Sequence, residues 1–219
     1  MKKIIIILTL ILTLVLTGCS KNNSNNLEEA YEKIRDNNFT VFVNETIVYE
    51  YDNQSNNFSS QYIINVDKDK MLYTKDNIKK YYEKIDDLIY QYSEMKNEWT
   101  LNTTININEF KYAQLDFLSF EINENYVQNG KQCNLDKNYI NSQFKETLNR
   151  YCILTFGNNI AHANLSQEIT KYSIFLNKDQ ISIINIEIEL NSLSSTNNEK
   201  YKISLGYNFS NFGTTVVNK

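Results

Sequence analysis

The sequence contains no proline, five glycines and one histidine among its 219 residues. Because proline is absent and glycine is scarce, we expect turns built from Asn, Asp and Ser, whose side chains bond to nearby backbone or tolerate positive φ. The one histidine, His162, lies in a polar segment, and no Gly-x-Ser-x-Gly, His-Glu-x-x-His or glycine-rich phosphate motif occurs in the chain. We therefore expect a protein that is not an enzyme and that requires no cofactor.

Cysteine is scarce as well, with three residues, Cys19, Cys133 and Cys152. They are too few and too widely spaced for a zinc site, so no metal is expected. Two interpretations of Cys133 and Cys152 remain open. Outside the cytoplasm they are able to form a disulfide, which would contribute about 3 kcal/mol on the chain-entropy model. Alternatively, they are two separate buried thiols that pack as small apolar side chains.

Basic residues do not outnumber acidic ones, since 22 Lys and Arg stand against 26 Asp and Glu for a net charge of −4. Such a surface repels a phosphate backbone, and no dense Lys/Arg cluster reverses its sign, so nucleic acid is not expected as a partner. The acidic pairs Asp67/Asp69 and Asp86/Asp87 have the groups for Ca²⁺ binding or acid–base catalysis. Their position between segments with strand character favours solvated turn residues instead.

The chain has one long apolar run, over residues 4–16, directly after Lys2 and Lys3. A basic start followed by an apolar stretch and small residues is typical of a secretion signal. The run is shorter than the roughly 20 residues that a permanent transmembrane helix needs. We therefore expect it to direct secretion and then to be removed.

The residues that follow this run resemble the lipobox of bacterial lipoproteins, in which a peptidase cuts before a cysteine that carries a diacylglyceryl group. The matching residues are Leu16, Thr17 and Gly18 as the recognition sequence and Cys19 as the lipidated residue. The resemblance implies a signal peptide over residues 1–18 and a lipid anchor on the outer face of a bacterial cell membrane. Two acyl chains are sufficient to hold a soluble domain on a bilayer. Residues 19–26 are polar after the cysteine, which predicts a flexible tether.

Residues 27–219 predict a single α+β domain. Apolar residues recur at helical spacing over Leu27–Asn37, and the period then changes to two over Phe39–Tyr51, which indicates a long strand. Further short segments of period two continue to Leu101 with polar turns between them, as in an antiparallel meander.

The second half of the domain shows one more helix and more strands. Residues Asp136–Tyr151 have helical spacing, and Asp136 is a suitable N-cap. Ile169–Leu190 predicts a hairpin, and Tyr201–Phe209 predicts a last strand. Residues 102–118 have a mixed pattern, and no element is assigned to them.

This order of elements resembles that of bacterial lipoproteins with a LolA-like or LppX/LprG-like fold. The turn Asp67-Lys68-Asp69-Lys70 and the closing segment 209–217 contribute to the resemblance. In those proteins one antiparallel sheet curls into a half-barrel, helices close it, and acyl chains or lipidated molecules bind inside. The resemblance therefore implies a curved antiparallel sheet covered by two or more helices, with a lipid or another hydrophobic ligand in its concave face.

Aromatic residues are frequent in the predicted strands, where they either line an apolar cavity with hydroxyl groups or pack as an ordinary core. A second function stays open beside ligand binding, that of a surface interaction or structural lipoprotein whose loops 102–118 and 192–198 contact other envelope components. The aromatic residues concerned are Tyr49, Tyr51, Tyr62, Tyr81, Tyr82, Tyr90, Tyr92, Trp99, Tyr201 and Tyr207.

Overall fold

The fold is an open, curved antiparallel sheet of eleven strands with helices packed on one face. It comes from a computed structural model that describes residues 24–106, 113–122, 126–157, 165–193 and 199–219. The strands run in the order β6-β5-β4-β3-β2-β1-β11-β10-β9-β8-β7. They are β1 (Asn38–Tyr51), β2 (Gln54–Asp67), β3 (Lys70–Lys75), β4 (Ile78–Ile85), β5 (Leu88–Met95), β6 (Glu98–Asn106), β7 (Tyr126–Asn129), β8 (Gln132–Leu135), β9 (Leu165–Asn177), β10 (Gln180–Ser192) and β11 (Lys200–Ser210).

Two meanders meet at the centre of this sheet, where the first and last strands pair. Val43 on β1 lies opposite Tyr62 on β2 and opposite Tyr207 on β11. All the described pairings are antiparallel, which confirms the predicted meander and the predicted hairpin of β9 and β10.

The hairpin turns have the chemistry that the scarcity of glycine and proline predicts. Asp52, Asp76 and Asp86 each adopt positive φ, at 46°, 51° and 54°. Such angles suit Asn and Asp because their short polar side chains bond locally. Lys68 and Lys178 also adopt positive φ, at 53° and 59°. Lys68 lies in the turn Asp67-Lys68-Asp69-Lys70 that the sequence predicts, and a two-residue hairpin imposes positive φ on the residue in its first position.

The helices are α1 (Ser24–Arg35), α2 (Ala113–Asp116), α3 (Lys137–Gln143) and α4 (Lys145–Phe156). Helix α1 begins three residues before the predicted start at Leu27, within the segment expected to be a tether. Asp136 caps α3 as predicted, because its Oδ1 accepts a hydrogen bond from the Tyr139 N–H at 2.9 Å. The single helix predicted for Asp136–Tyr151 is instead two helices with a break at Phe144. Phe144 is buried, and the break lets its ring pack parallel to that of Tyr172.

Alternate residues of the central strands form a mainly apolar surface, which we call the core face. It carries Val41 and Val43 of β1 with the residues opposite them, and the other side of the sheet is the outer face. Helix α1 covers the core face with its buried residues Leu27, Ala30 and Tyr31.

The segment after α2, within the region that had no sequence assignment, enters the core. Phe117, Leu118 and Phe120 are buried there. The Tyr31 hydroxyl accepts from the Phe120 N–H at 2.7 Å and donates to the carbonyl of Leu118. These hydrogen bonds satisfy backbone groups that belong to no helix or strand, which buried loops must achieve.

An amide side chain attaches α3 to the sheet. Strand β8 pairs with β9 only near Ile174, so the backbone of Ile169 has no β8 partner. Asn141 of α3 replaces that partner, since its Nδ2 donates to the Ile169 carbonyl and its Oδ1 accepts from the Ile169 N–H, both at 2.8 Å. The helix therefore continues the hydrogen bonding of the sheet where a strand ends.

Candidate functional site

The aromatic residues of the strands are divided between the two faces of the sheet. Strand register decides the face, because directly opposite residues in a sheet share a face. The residues therefore do not all line one cavity, and cavity lining, one of the two alternatives left open for them, does not hold for the whole set. The core face carries Tyr49, Tyr51, Tyr62, Tyr82, Tyr201 and Tyr207, and the outer face carries Tyr81, Tyr90, Tyr92 and Trp99.

The part of the core face beneath the helices is filled. The rings of Phe117 and Phe120 both pack against the ring of Phe144, with centroids 5.7 and 6.4 Å from it. Between α1, the segment after α2 and strands β1 and β2, a hollow of about 140 Å³ remains, lined by Tyr31, Phe39 and other residues. Ligand pockets usually measure about 300 Å³ or more. A ligand of ordinary size therefore does not fit beneath α1.

A polar group interrupts the core face where the hydroxyl of Tyr151 on α4 reaches β1. We call Glu45, Ser60, Tyr62 and Tyr151 the Glu45 cluster. Glu45 lies directly opposite Ser60 of β2, and it accepts a hydrogen bond from the hydroxyl of Tyr151 on α4. Tyr62 is the next residue on the same face of β2, with its ring 5.3 Å from that of Tyr73.

Two hydroxyl groups of this cluster find no hydrogen-bond partner among the residues that the structure describes. The Ser60 Oγ and the Tyr62 Oη are both buried and make no hydrogen bond within the described residues. A buried polar group without a partner costs about 1 to 3 kcal/mol, so such groups are rare in folded proteins. The Glu45 cluster thus has unused capacity to bond a polar group.

Burial and charge both keep the tyrosines of this cluster protonated. Burial raises the pKa of Tyr62, and the neighbouring Tyr207 and Glu45 raise it further. Burial also raises the pKa of Tyr151, with the Glu45 carboxylate as the next cause. The hydroxyl of Tyr62 therefore remains available as a hydrogen-bond donor at physiological pH.

An apolar strip leads from the cluster toward the end of the sheet. On β2 the same-face residues Phe58, Ser60 and Tyr62 follow one another, and the exposed fraction falls from 61% at Phe58 to 4% at Tyr62. Phe58 lies opposite the half-buried Ile47 of β1. Four residues of strand span about 13 Å. The strip is thus apolar and open at one end, and polar and buried at the other.

Beyond Ile47 the strip ends in a half-exposed aromatic group. The ring of Tyr49 lies 4.8 Å from that of Tyr201, and Phe156, the last residue of α4, lies 5.0 Å from Tyr201. The Tyr49 hydroxyl donates to the Glu199 carboxylate at 3.3 Å. These rings extend the apolar surface next to Phe58.

Other hollows in the described part of the chain have a different character. One of about 730 Å³ is lined by the polar end of the β1–β2 hairpin, including Glu50, Asp52 and Lys200. Another of about 470 Å³ lies between α3, α4 and the start of β9, next to Asn141 and Leu148. A third, of about 300 Å³, lies on the outer face around Asn44 and Asn185 and is lined mainly by polar residues.

Several residues singled out in the sequence fall outside the described residues, namely Leu16, Thr17, Gly18, Cys19 and His162. Asp69, Asp86 and Asp87 occupy hairpin turns, and Asp67 accepts from the Asn38 amide at 3.0 Å. Within the ranges that the structure covers, no group of three or more His, Cys, Asp or Glu side chains is arranged to hold a metal ion. Over the same ranges no helix has both the length and the apolar character needed to cross a bilayer.

The bridge considered between Cys133 and Cys152 is not formed in this structure, where both cysteines are free and buried. Cys133 lies on the core face opposite Ile174, and Cys152 lies on the buried side of α4. Burial raises the pKa of Cys133 to about 11 and that of Cys152 to about 12. Both thiols are therefore poor nucleophiles at neutral pH.

Comparison with known proteins adds little to this geometry. No protein-family model matches the chain, and no curated protein matches it. Among solved structures, the ywiB protein from Bacillus subtilis is similar at 10% identity over 78% of this chain and 92% of that chain, with a TM-score of 0.25. A domain named for outer membrane lipoprotein sorting, from Vibrio parahaemolyticus, is similar at 10% identity over 89% of this chain and 95% of that chain, with a TM-score of 0.26. TM-scores this low do not establish a shared fold.

The sequence contains an indication of the Glu45 cluster that is not a catalytic motif. Glu45 occupies a core-face position in the alternation that begins with Val41 and Val43, so a charged residue interrupts the apolar pattern. Charged residues are rarely buried without a partner. A polar residue at an apolar position was thus the visible indication of a polar site inside the sheet.

Proposed function

We propose that this chain is a lipid-anchored lipoprotein on the extracytoplasmic face of a cell membrane, without catalytic activity, that binds an amphiphilic lipid or another hydrophobic ligand. The ligand lies on the strip of β2 from Phe58 to Tyr62. Its apolar part contacts Phe58 and Ile47, and its polar group bonds to the hydroxyls of Ser60 and Tyr62.

The observation that carries this proposal is the pair of unpartnered hydroxyls at the buried end of an exposed apolar strip. An apolar ligand gains about 25 cal/mol for each Å² of apolar surface removed from water. A polar group that reaches Ser60 and Tyr62 also removes the cost of two unsatisfied hydroxyls. Both terms favour a molecule with one apolar end and one polar end.

Native mass spectrometry of the full chain tests this proposal. The protein is extracted from its own membrane into a mild detergent that is released in the gas phase, and the spectrum is searched for added mass. We expect a bound lipid or other amphiphile in the unmodified protein. We expect the double variant Ser60→Ala with Tyr62→Phe to lose most of that occupancy, since it cannot bond the polar group.

Tyr90→Phe is the matched control, because it removes the same hydroxyl from the outer face. Occupancy should be unchanged in this control. A protein that is consistently empty, or one whose occupancy falls equally in Tyr90→Phe and in the double variant, would refute binding at this strip.

The lipid anchor is tested separately by metabolic labelling with a radioactive fatty acid. Label should appear on the unmodified protein and disappear in Cys19→Ala, because the thiol is the expected attachment point. Retention of Cys19→Ala at the membrane with normal processing would contradict the anchor.

A second candidate function is supported by exposed apolar side chains on strands β4 to β6. Ile85 and Leu88 lie opposite each other at the end of their hairpin and are 48% and 37% exposed. Exposed apolar patches often mark protein contacts. In this alternative the chain is a surface interaction lipoprotein. Crosslinking in intact cells should then capture a partner that Ile85→Lys loses, and the absence of any crosslinked partner would exclude this role.

A further inference from the structure

The segment after β11 crosses the outer face of the sheet from β1 to β5. Asn38 fixes its start, since its Oδ1 accepts from the Thr215 N–H at 2.9 Å and its Nδ2 donates to the Thr215 carbonyl at 3.1 Å. Val217 is 1% exposed, so the segment packs against the strands beneath it. The segment runs along a row of residues, one from each of strands β1 to β5, in which each residue is the cross-strand partner of the next. The row consists of Thr40, Asn65, Leu72, Tyr81 and Tyr92.

At the end of this path the ammonium group of Lys219 stands over two aromatic rings. Its Nζ lies 3.4 Å from the centroid of Tyr92 and 4.9 Å from the centroid of Tyr81. The Glu83 carboxylate lies 3.4 Å from the same nitrogen. A cation over ring faces is attracted by the ring quadrupole, and a nearby carboxylate adds to that attraction.

The aromatic rings around the ammonium group belong to strands of the sheet, and the strand pairing sets their positions. Tyr81 is 2% exposed and is held between Tyr92 and Trp99, with ring centroids 5.9 and 6.0 Å away. Tyr81 and Tyr92 lie opposite each other on neighbouring strands, so the backbone hydrogen bonds fix their spacing. We call Tyr81, Glu83 and Tyr92 the ammonium cage.

We propose that the ammonium cage is a binding site for organic ammonium groups, and that Lys219 occupies it as an internal competitor. Aromatic rings that surround a cation are the usual recognition site for quaternary ammonium compounds. The side chain of Lys219 is 33% exposed, so the cage opens to solvent. A lysine tethered to its site has an effective concentration of the order of mM, which a free ligand must exceed.

The test uses the full chain in a detergent without ammonium groups, with tetramethylammonium chloride as the probe. Trp99 is the only tryptophan, and it lies beside Tyr81, so its fluorescence reports on the cage. We expect Lys219→Ala to give a saturable change at a concentration about tenfold lower than the unmodified chain requires. Sodium chloride at equal ionic strength should give no such change.

Three further variants distinguish binding in the cage from a general effect of removing a surface charge. Lys202→Ala removes a lysine that forms an ion pair with Glu50 elsewhere on the sheet, and it should respond as the unmodified chain does. Glu83→Gln and Tyr92→Leu, each added to Lys219→Ala, should weaken the response at least severalfold. Circular dichroism verifies that each variant is folded. If the variant with Tyr92→Leu does not fold, the variant with Glu83→Gln still tests the contribution of the cage.

Lipid headgroups and free ammonium compounds share this chemistry, and glycerophosphocholine distinguishes them. Tighter binding of glycerophosphocholine than of tetramethylammonium identifies a headgroup as the ligand, and weaker binding identifies a free ammonium compound. The proposal is overturned if Lys219→Ala gives no saturable response, or if Glu83→Gln leaves that response unchanged.

Discussion

Removal of one hydroxyl group at Tyr62 should stabilise the protein, whereas the same change at Tyr151 should destabilise it. Tyr62→Phe removes a buried oxygen that has no partner, while its ring keeps its packing against Tyr73. An unsatisfied buried hydroxyl costs about 1 to 3 kcal/mol, so the free energy of unfolding should rise by about 1 kcal/mol or more.

Tyr151→Phe breaks the hydrogen bond that the Tyr151 hydroxyl donates to Glu45. Hydrogen bonds to charged groups contribute about 1.5 to 3 kcal/mol, and the carboxylate keeps fewer partners after the change. The free energy of unfolding should therefore fall by about 2 kcal/mol. Two chemically identical substitutions in one cluster should act in opposite directions.

Urea unfolding followed by circular dichroism measures both effects. The midpoint should rise in Tyr62→Phe and fall in Tyr151→Phe without a change in slope, because the surface exposed on unfolding is the same. For a domain of about 200 residues, each kcal/mol corresponds to a shift of about 2 to 4 °C in melting temperature.

A lower midpoint in Tyr62→Phe would refute an unsatisfied hydroxyl at this position. In that case a water molecule or another group already satisfies the hydroxyl, and the strip has no unused bonding capacity to offer a ligand. Added ligand should also raise the melting temperature of the unmodified protein more than that of Tyr62→Phe, since the variant lacks one bond to it.

Three further substitutions or conditions test the fold. Asp136→Ala removes the cap of α3 and should cost about 1 kcal/mol by thermal unfolding. Asp87→Ala, at an exposed turn residue that does not adopt positive φ, is the control and should change little. Asn141→Ala leaves the Ile169 backbone without partners and should cost about 1 to 3 kcal/mol; an unchanged midpoint would show that solvent replaces the amide. In the folded state the pKa values of Cys133 and Cys152 are about 11 and 12, above the ordinary 9.0 of a thiol. Above pH 9 the unfolded chain therefore binds fewer protons than the folded protein. The free energy of unfolding should fall as pH rises from about 9 toward 12. Urea midpoints measured across that window check the sign, and Cys133→Ala should reduce the slope.

Local chemistry made much of the fold predictable from the sequence. Period-two alternation marked the long strand that became β1, and helical spacing marked α1, because both patterns follow from backbone geometry alone. The N-cap at Asp136 and the Asp turns were visible for the same reason, since their hydrogen bonds join residues close in sequence.

The expectations that failed concern residues distant in sequence. That Tyr62 and Tyr81 lie on opposite faces was not predictable from the sequence, because the face depends on the register between strands. The break at Phe144 was missed because the helical spacing continues through it, and only packing against Tyr172 accounts for the interruption.

The sequence by itself determined the long strands, the first helix and the polar turns between strands, whereas it assigned no element to the residues of β7 and β8. Only the tertiary structure decided that Glu45, Ser60 and Tyr151 meet, and that Lys219 reaches Tyr92 across five strands. The reason is physical: alternation and capping are set by neighbours along the chain, whereas a site is set by strand register and helix packing, which join residues far apart in sequence.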